Sequence, residues 1–250
     1  MADIVYTAAE IELVEDLVRH YEENISLIRG FLNSFHSHFT ETIGDDGPLS
    51  ELVHSTKRRM KDPGHLRGKL FRKLNVAREE GKAFDITCEN LFLRINDLGG
   101  YRILHLHTSQ VQRIHEVLLQ VIERAQFDLF EPPSANIWDE EAKAFFEKIG
   151  VHTEVNPRMY SSVHYVIEAR SKNAVTCEIQ VRTLADEIWG EIDHRINYPE
   201  SHESVACREQ LRVLARVASS CSRLVDSIMA SHEEWNSRSA PDVDDPPDRN

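Results

Sequence analysis

Four short stretches of this sequence place polar side chains where they could do chemistry. The first, RRMKDPGHLRGKLFRK, sets Arg58, Arg59, Lys61, Arg67, Lys69, Arg72 and Lys73 within residues 58–73. If residues 51–61 form a strand, Lys57, Arg59 and Lys61 share one face, because strand side chains alternate. The helix expected after Pro63 can return Lys69 toward them, near a helix start whose dipole favours anions. The chemistry implied is the holding of a polyphosphate, although a charge run taken alone is equally well a solvated face.

The second stretch, INDLGGYR (95–102), puts Asp97 in a turn before a strand and Arg102 just inside it. The third, RMYSSVHY (158–165), aligns Tyr160, Ser162 and His164 on one strand face. The fourth, AVTCEIQVRT (174–183), alternates Val175, Cys177, Ile179 and Val181 with Thr176, Glu178, Gln180 and Arg182. Each has a bland reading: turn chemistry, packing, and an outer face in water. Together they suggest a polymerase-like arrangement. Asp97 and Glu178 share a divalent ion, for which Mg²⁺ suits carboxylates plus nucleotide phosphates, and the cationic face holds a triphosphate.

These residues need a scaffold, and the hydrophobic pattern supplies one. Thr7 and Glu10 fit a capping box ahead of helical periodicity over residues 8–38, as one or two helices. Residues 42–50 read as turn, 51–61 as a strand, and 63 to about 80 as a helix. A strand over 101–107 leads to a helix capped by Ser109 and Gln112. Residues 130–136 read as loop and 138–148 as a short helix. Strands are expected over 151–155, 162–170 and 174–182, the last two joined through a turn at 171–173. Thr183 with Asp186 opens a helix ending near Tyr198-Pro199. A long helix then runs from about Ser204 to Trp235 on Leu211, Leu214, Val217, Cys221, Leu224, Val225 and Ile228.

The expected fold is α+β: a mixed, partly antiparallel sheet of about five strands flanked by helices, nucleotidyltransferase-like. The expected organisation is an N-terminal helical segment (1–48), a catalytic domain (49–200), a C-terminal helix (201–235) and a disordered tail (236–250).

Composition narrows the setting. The 250-residue chain is 41 % hydrophobic and carries a formal net charge of −13, with 42 acidic residues against 29 basic. That field disfavours non-specific nucleic-acid binding, although local clusters can still take phosphates. No run approaches the roughly 20 apolar residues of a membrane span, and the acidic start lacks a secretory pattern. Cys88, Cys177, Cys207 and Cys221 show no CxxC spacing. A cytoplasmic protein with reduced thiols is expected.

The motifs in order resemble those of the RelA/SpoT synthetases, nucleotide pyrophosphokinases that make alarmones. Over roughly residues 50–200, Arg59-x-Lys61 with Lys69-Leu70 resembles RxKxxxSxxxKL, and Asp97-x-x-Gly100-x-Arg102 resembles DxxGxR. Tyr160-Ser161-Ser162-Val163-His164 resembles GYRSxH, and Glu178 to Thr183 is similar to EIQ[IV]RT. Trp189, Glu191, His194 and Tyr198 resemble the W-x-E-x-x-H-x-x-Y helix.

The resemblance implies that Arg59 and Arg102 sandwich the adenine of ATP, while Lys61 and Lys69 bind its triphosphate. It implies that Asp97 holds Mg²⁺ and that Glu178 shares it or takes the acceptor's proton. Tyr160 stacks on the acceptor base, and His164, Gln180, Arg182 and His194 position acceptor ribose and phosphates. The implied reaction moves pyrophosphate from ATP to the 3′-hydroxyl of GDP or GTP. Alternatives are a toxin-like enzyme acting on adenine nucleotides or the tRNA 3′ end, and an inactive nucleotide-binding regulator. The departures are His65 for the family's Ser, Met159 for the loop Gly, Ser161 for its Arg, and Pro199 for the Lys after Tyr198. No HD-type hydrolase motif occurs. The long terminal helices suit either the sheet or a homo-oligomer interface.

Overall fold

Residues 5–138, 140–156, 159, 161–170, 174–197 and 204–239 are described by the computed structural model. Seven helices and six strands occur among them, and the strands form one sheet in the order β1-β2-β6-β5-β3-β4. Strand β1 (Val53–Met60) lies antiparallel to β2 (Gly99–His105), and β2 lies parallel to β6 (Thr176–Thr183). Strand β6 is antiparallel to β5 (Ser162–Ala169), which is antiparallel to β3 (Phe127–Ile137); β4 (His152–Val155) closes the far edge, parallel to β3. The architecture is the α+β one expected from the sequence.

One face of this sheet is the core. Helix α1 (Ala8–Ile43) starts on the capping box formed by Thr7 and Glu10 and buries Leu17, Ile28, Phe35 and Phe39 against it. Helix α2 (Pro63–Glu79) and the one-turn α3 (Leu91–Arg94) add Leu66, Leu70 and Leu91, and α4 (Gln110–Arg124) adds Ile114, Leu118 and Val121. Between them stand the alternate residues Tyr101, Ile103, Cys177, Ile179 and Val181 of β2 and β6. The buried phenols of Tyr101 and Tyr165 meet His36 and His115, each at 2.8 Å, so neither hydroxyl is buried without a partner. The opposite face keeps the polar alternates and is crossed by α6 (Leu184–Asn197), over which α7 (Val205–Ser239) packs. No described helix is long and apolar enough to cross a membrane.

Several elements differ from the sequence expectation. The sheet has a sixth strand, because residues 130–136 belong to β3 and not to a loop. Pro132 and Pro133 fall in a register shift between Glu131 and Ser134, and β4 pairs with β3 only from Ser134 onward. A proline that cannot donate to the ladder is tolerated at such a bulge. Helix α1 is one helix that runs past residue 38 to Ile43, so the turn begins at Gly44. Ser109 makes no side-chain cap on α4. Asp226 of α7 accepts from the backbone N–H of Thr108 (3.2 Å) and Ser109 (2.9 Å) instead.

Helix α7 continues through Ser239, beyond Trp235 and into the region expected to be tail. It buries Leu211, Ala215, Ala218 and Ser222 and leaves Val217, Leu224 and Ile228 exposed. Small residues let α7 approach α6 closely, and packing selected that face over the more hydrophobic one. The expected turn at 171–173, the Tyr198-Pro199 helix end and the tail from 240 onward lie outside the described residues.

Candidate active site

Strand register assembles the polar face. Paired residues of neighbouring strands share a face, and two rows of pairs cross the sheet. In one, Lys57 of β1 is opposite Arg102, Arg102 is opposite Gln180, and Gln180 is opposite His164. In the other, Arg59 is opposite Gly100 and Gly100 is opposite Glu178. A Cβ at Gly100 would lie 3.3 Å from Cγ of Arg59. The bare glycine therefore lets the Arg59 stem lie flat across β2 toward Glu178.

At the end of these rows sits Asp97. Its Oδ2 accepts from Lys61 Nζ at 2.7 Å and its Oδ1 from Lys69 Nζ at 2.8 Å. Lys61 is 9 % exposed, and its carbonyl takes the Tyr21 hydroxyl of α1 at 2.6 Å, which anchors the strand end. Burial pushes the Asp97 carboxyl up, but Lys69 and Lys61 outweigh it and hold the pKa at about 2. Burial is the larger influence on Lys61 and depresses its ammonium despite the carboxylate. A second anion beside Lys61 would relieve that cost. The surrounding cleft, about 320 Å³, is lined by Arg59, Lys61, Lys69 and Arg72 against the carboxylates Asp62 and Asp97, with His65 and His194 on its wall. It carries a surplus of positive charge within an acidic protein.

Glu178 stands next to this cleft. Its Oε1 accepts from His164 Nδ1 at 2.8 Å and its Oε2 from the Gln180 amide at 2.7 Å. Burial pushes the carboxyl up, the contact with His164 pulls it down further, and the net displacement is downward. The charge of Asp97 also acts on Glu178, raising its pKa. The two acids, 81 positions apart in the chain, thus sense one another in space. Among the described residues no three His, Cys, Asp or Glu side chains converge as a metal cage. Two hard carboxylates beside a cation-lined cleft instead fit an ion that takes its remaining oxygens from a nucleotide and water.

The other candidate residues fall around this pair. Arg102 donates to Glu187 (2.8 Å) and Glu191 (2.5 Å) of α6. Burial works against its charge, and the two carboxylates more than restore it. Arg182 is 3 % exposed and ion-paired with Glu187 beneath α6. His194 lies on the Arg59–Asp97 cleft, its ring 5.3 Å from that of His65; burial first, then the nearby Arg59, lowers its pKa. Tyr160 lies outside the described residues. Met159, in place of the family's loop glycine, adopts φ 62. A left-handed backbone costs a residue with a side chain about 1–2 kcal/mol, offset here by packing against the cluster of Trp189, Ala215 and Ala218.

The sequence pattern assigned no role to Glu187, and Lys57, expected on the phosphate-holding face, reaches Glu191 at 3.1 Å instead. The signal was present: Glu187 and Glu191 are four apart and share a helix face. Arg67, counted in the basic cluster, is bound by Glu15 of α1 through contacts of 2.6 and 2.8 Å, so the free positive surplus is smaller than the sequence suggests.

Comparison with known proteins gives a consistent result. The model for the region found in RelA/SpoT proteins matches residues 58–203. The GTP pyrophosphokinase YwaC of Bacillus subtilis (strain 168) is 26 % identical over 151 residues, covering 58 % of this chain and 59 % of that protein. Two crystal structures of the small alarmone synthetase 1 of Bacillus subtilis share the fold. One gives a TM-score of 0.55 at 18 % identity, and one bound to its product pppGpp gives 0.54 at 20 %; both cover 88 % of this chain and 97 % of theirs. A GTP pyrophosphokinase family protein from Streptococcus pneumoniae gives 0.55 at 16 % identity over 85 % of this chain and 93 % of its own.

Proposed function

This chain belongs to the RelA/SpoT family, and from that premise we propose that it transfers pyrophosphate from ATP to the 3′-hydroxyl of GDP or GTP, releasing AMP. The observation that carries the reading is the pairing of a fixed, ionised carboxylate, Glu178, with the cationic cleft around Asp97. Arg59 and Arg102 flank the adenine, and Lys61 and Lys69 turn to the triphosphate. Asp97, with Glu178 beside the cleft, would hold Mg²⁺, which would supply neutralisation of phosphate charge.

The acceptor hydroxyl attacks the β-phosphorus of ATP. A new P–O bond forms, the bond from that phosphorus to the oxygen bridging the α-phosphate breaks, and AMP leaves with that oxygen. Glu178 takes the hydroxyl proton, oriented by His164 and Gln180. Alignment and charge neutralisation suffice for phosphoryl chemistry of this kind. Tyr160 stacks on the acceptor base, and Tyr160→Ala is expected to raise the acceptor KM far more than that of ATP, since stacking contributes about 1–3 kcal/mol per base.

The test is incubation with labelled ATP and Mg²⁺ against GDP, GTP, ATP and tRNA. Label on the guanine nucleotides supports the proposal. Label on tRNA or ATP alone moves the activity to another acceptor, and label on none leaves a nucleotide-binding regulator. The pairing of Arg67 with Glu15 argues against the tRNA outcome, because it removes one phosphate-binding cation from the basic cluster.

A further inference from the structure

Apart from the Asp97–Glu178 cleft, a cavity of about 360 Å³ opens at the carboxyl ends of β2 and β6, with Arg182, paired to Glu187, in its lining. These are parallel neighbours whose chains leave on opposite faces of the sheet: β2 into α4 on the core side, β6 into α6 on the polar side. In an open sheet such a divergence leaves a crevice at the strand ends, a general place for ligands. Here α5 (Glu140–Lys148) and α7 wall the crevice, with Val111, Phe145, Phe146, Val163 and Val181 as its apolar lining.

The ionisable groups around it answer one another. Asp226 accepts from His107 Nδ1 at 2.7 Å, and Arg223 donates to Glu141 at 2.5 Å. On the core side of this lining one buried polar atom is an exception among the described residues, His105 Nε2, on a side chain 1 % exposed. His105 Nδ1 lies 3.0 Å from the carbonyl of His107, which only accepts, so Nδ1 carries the proton and Nε2 presents a bare lone pair. Burial pushes this imidazole down to about 4 and keeps it neutral. A buried acceptor without a partner costs free energy that a donor from a ligand would recover. His105 projects from the face of β2 opposite Arg102, so a molecule on its Nε2 lies away from Glu178.

We propose that this cavity is a second binding site, for a small uncharged aromatic molecule carrying one hydrogen-bond donor. The apolar lining takes the ring, and His105 Nε2 takes the donor. The volume is ample, since a cavity of about 150 Å³ suffices for benzene. The inference does not rest on the catalytic reading, because it is tested by binding alone.

Indole and 1-methylindole, which differ in the donor, are titrated into the full-length protein by calorimetry. Indole is expected to bind saturably at one molecule per chain, and methylation of the ring nitrogen to weaken binding at least about fivefold. The ¹⁵N resonance of His105 Nε2 shifts on adding indole. His105→Phe removes the preference between the two probes, and Ala142→Leu, which fills the cavity, removes binding of both; ATP affinity and thermal unfolding report whether each variant folds. Should a variant fail to fold, the two probes on the unaltered protein and the ¹⁵N shift decide. Equal binding of the probes, a cavity holding water only, or a preference that survives His105→Phe overturns the proposal.

Discussion

His164 reaches diagonally across two antiparallel strands to Glu178, with imidazole Nδ1 2.8 Å from carboxylate Oε1. The residue directly opposite His164 is Gln180, whose amide turns back along its own strand to the other oxygen of Glu178. A histidine and a glutamine thus clamp the two oxygens of one carboxylate and favour its ionised form, while Asp97 acts on it from the neighbouring cleft.

Glu178→Gln is therefore expected to lower pyrophosphate transfer by about 10²- to 10⁴-fold, the usual contribution of a general base. Affinity for ATP stays near that of the unaltered protein, because the cleft lined by Lys61 and Lys69 is intact. Release of labelled AMP and equilibrium dialysis with ATP separate the two effects; equal turnover in the variant removes Glu178 from the chemistry.

His164→Ala carries a pH signature. Transfer needs ionised Glu178 and fails as pH falls through its pKa, which lies below the ordinary value of 4.5. Without His164, burial acts with less opposition and the pKa rises. The acid limb of the pH–rate profile is expected to move to higher pH, and a limb that stays put refutes the orienting role.

Asp97 gives a stability signature. Its pKa falls from 3.8 to about 2 on folding. A depressed carboxylate adds stability above its unfolded pKa and loses it as pH drops through the folded one. The contribution, about 2 kcal/mol from the size of the shift, is present above about pH 4 and fades toward pH 2. The stability gap between the native protein and Asp97→Asn, from urea unfolding, should narrow across that window; a gap constant with pH argues against the clamp.

Glu187 ties two guanidiniums, those of Arg102 and Arg182, to α6, and all three side chains are at most 12 % exposed. Removing one partner from a buried ion pair leaves a charge uncompensated and costs about 3–5 kcal/mol. Glu187→Gln keeps the shape and loses the charge, so a large fall in the unfolding midpoint is expected; a change near zero places the network in solvent.

Local signals in the sequence located the elements that carry this site. The alternation around Glu178 marked β6, the Asp97 turn marked the start of β2, and the Thr7–Glu10 box marked α1, because each depends on residues close in the chain. What eluded it depends on distant partners. The prolines of β3 hid a strand that exists because β5 and β4 pair with it around a bulge. Asp226 caps α4 from 117 positions away and displaces the cap expected of Ser109. The two register rows, and with them the grouping of Lys57 and Arg102 with α6 acids, appear only once strand order is known.

Two glycines provide a final test of how α1 sits on the sheet. A Cβ at Gly99 would come within 2.5 Å of Ile28 and 2.9 Å of Cys177, both buried. No atom within 4 Å meets one at Gly30, in the interior of α1. Gly99→Ala must push α1 off the start of β2, beside Asp97, at about 1–3 kcal/mol for overpacking. Gly30→Ala should instead stabilise by about 0.5–1 kcal/mol through helix propensity alone. Chemical denaturation of both variants reads the contrast, and because β2 carries Arg102 and follows Asp97, Gly99→Ala should also weaken ATP binding while Gly30→Ala leaves it unaltered. Equal and opposite-signed results, with Gly99→Ala the more stable, would mean that α1 does not rest on the sheet as described.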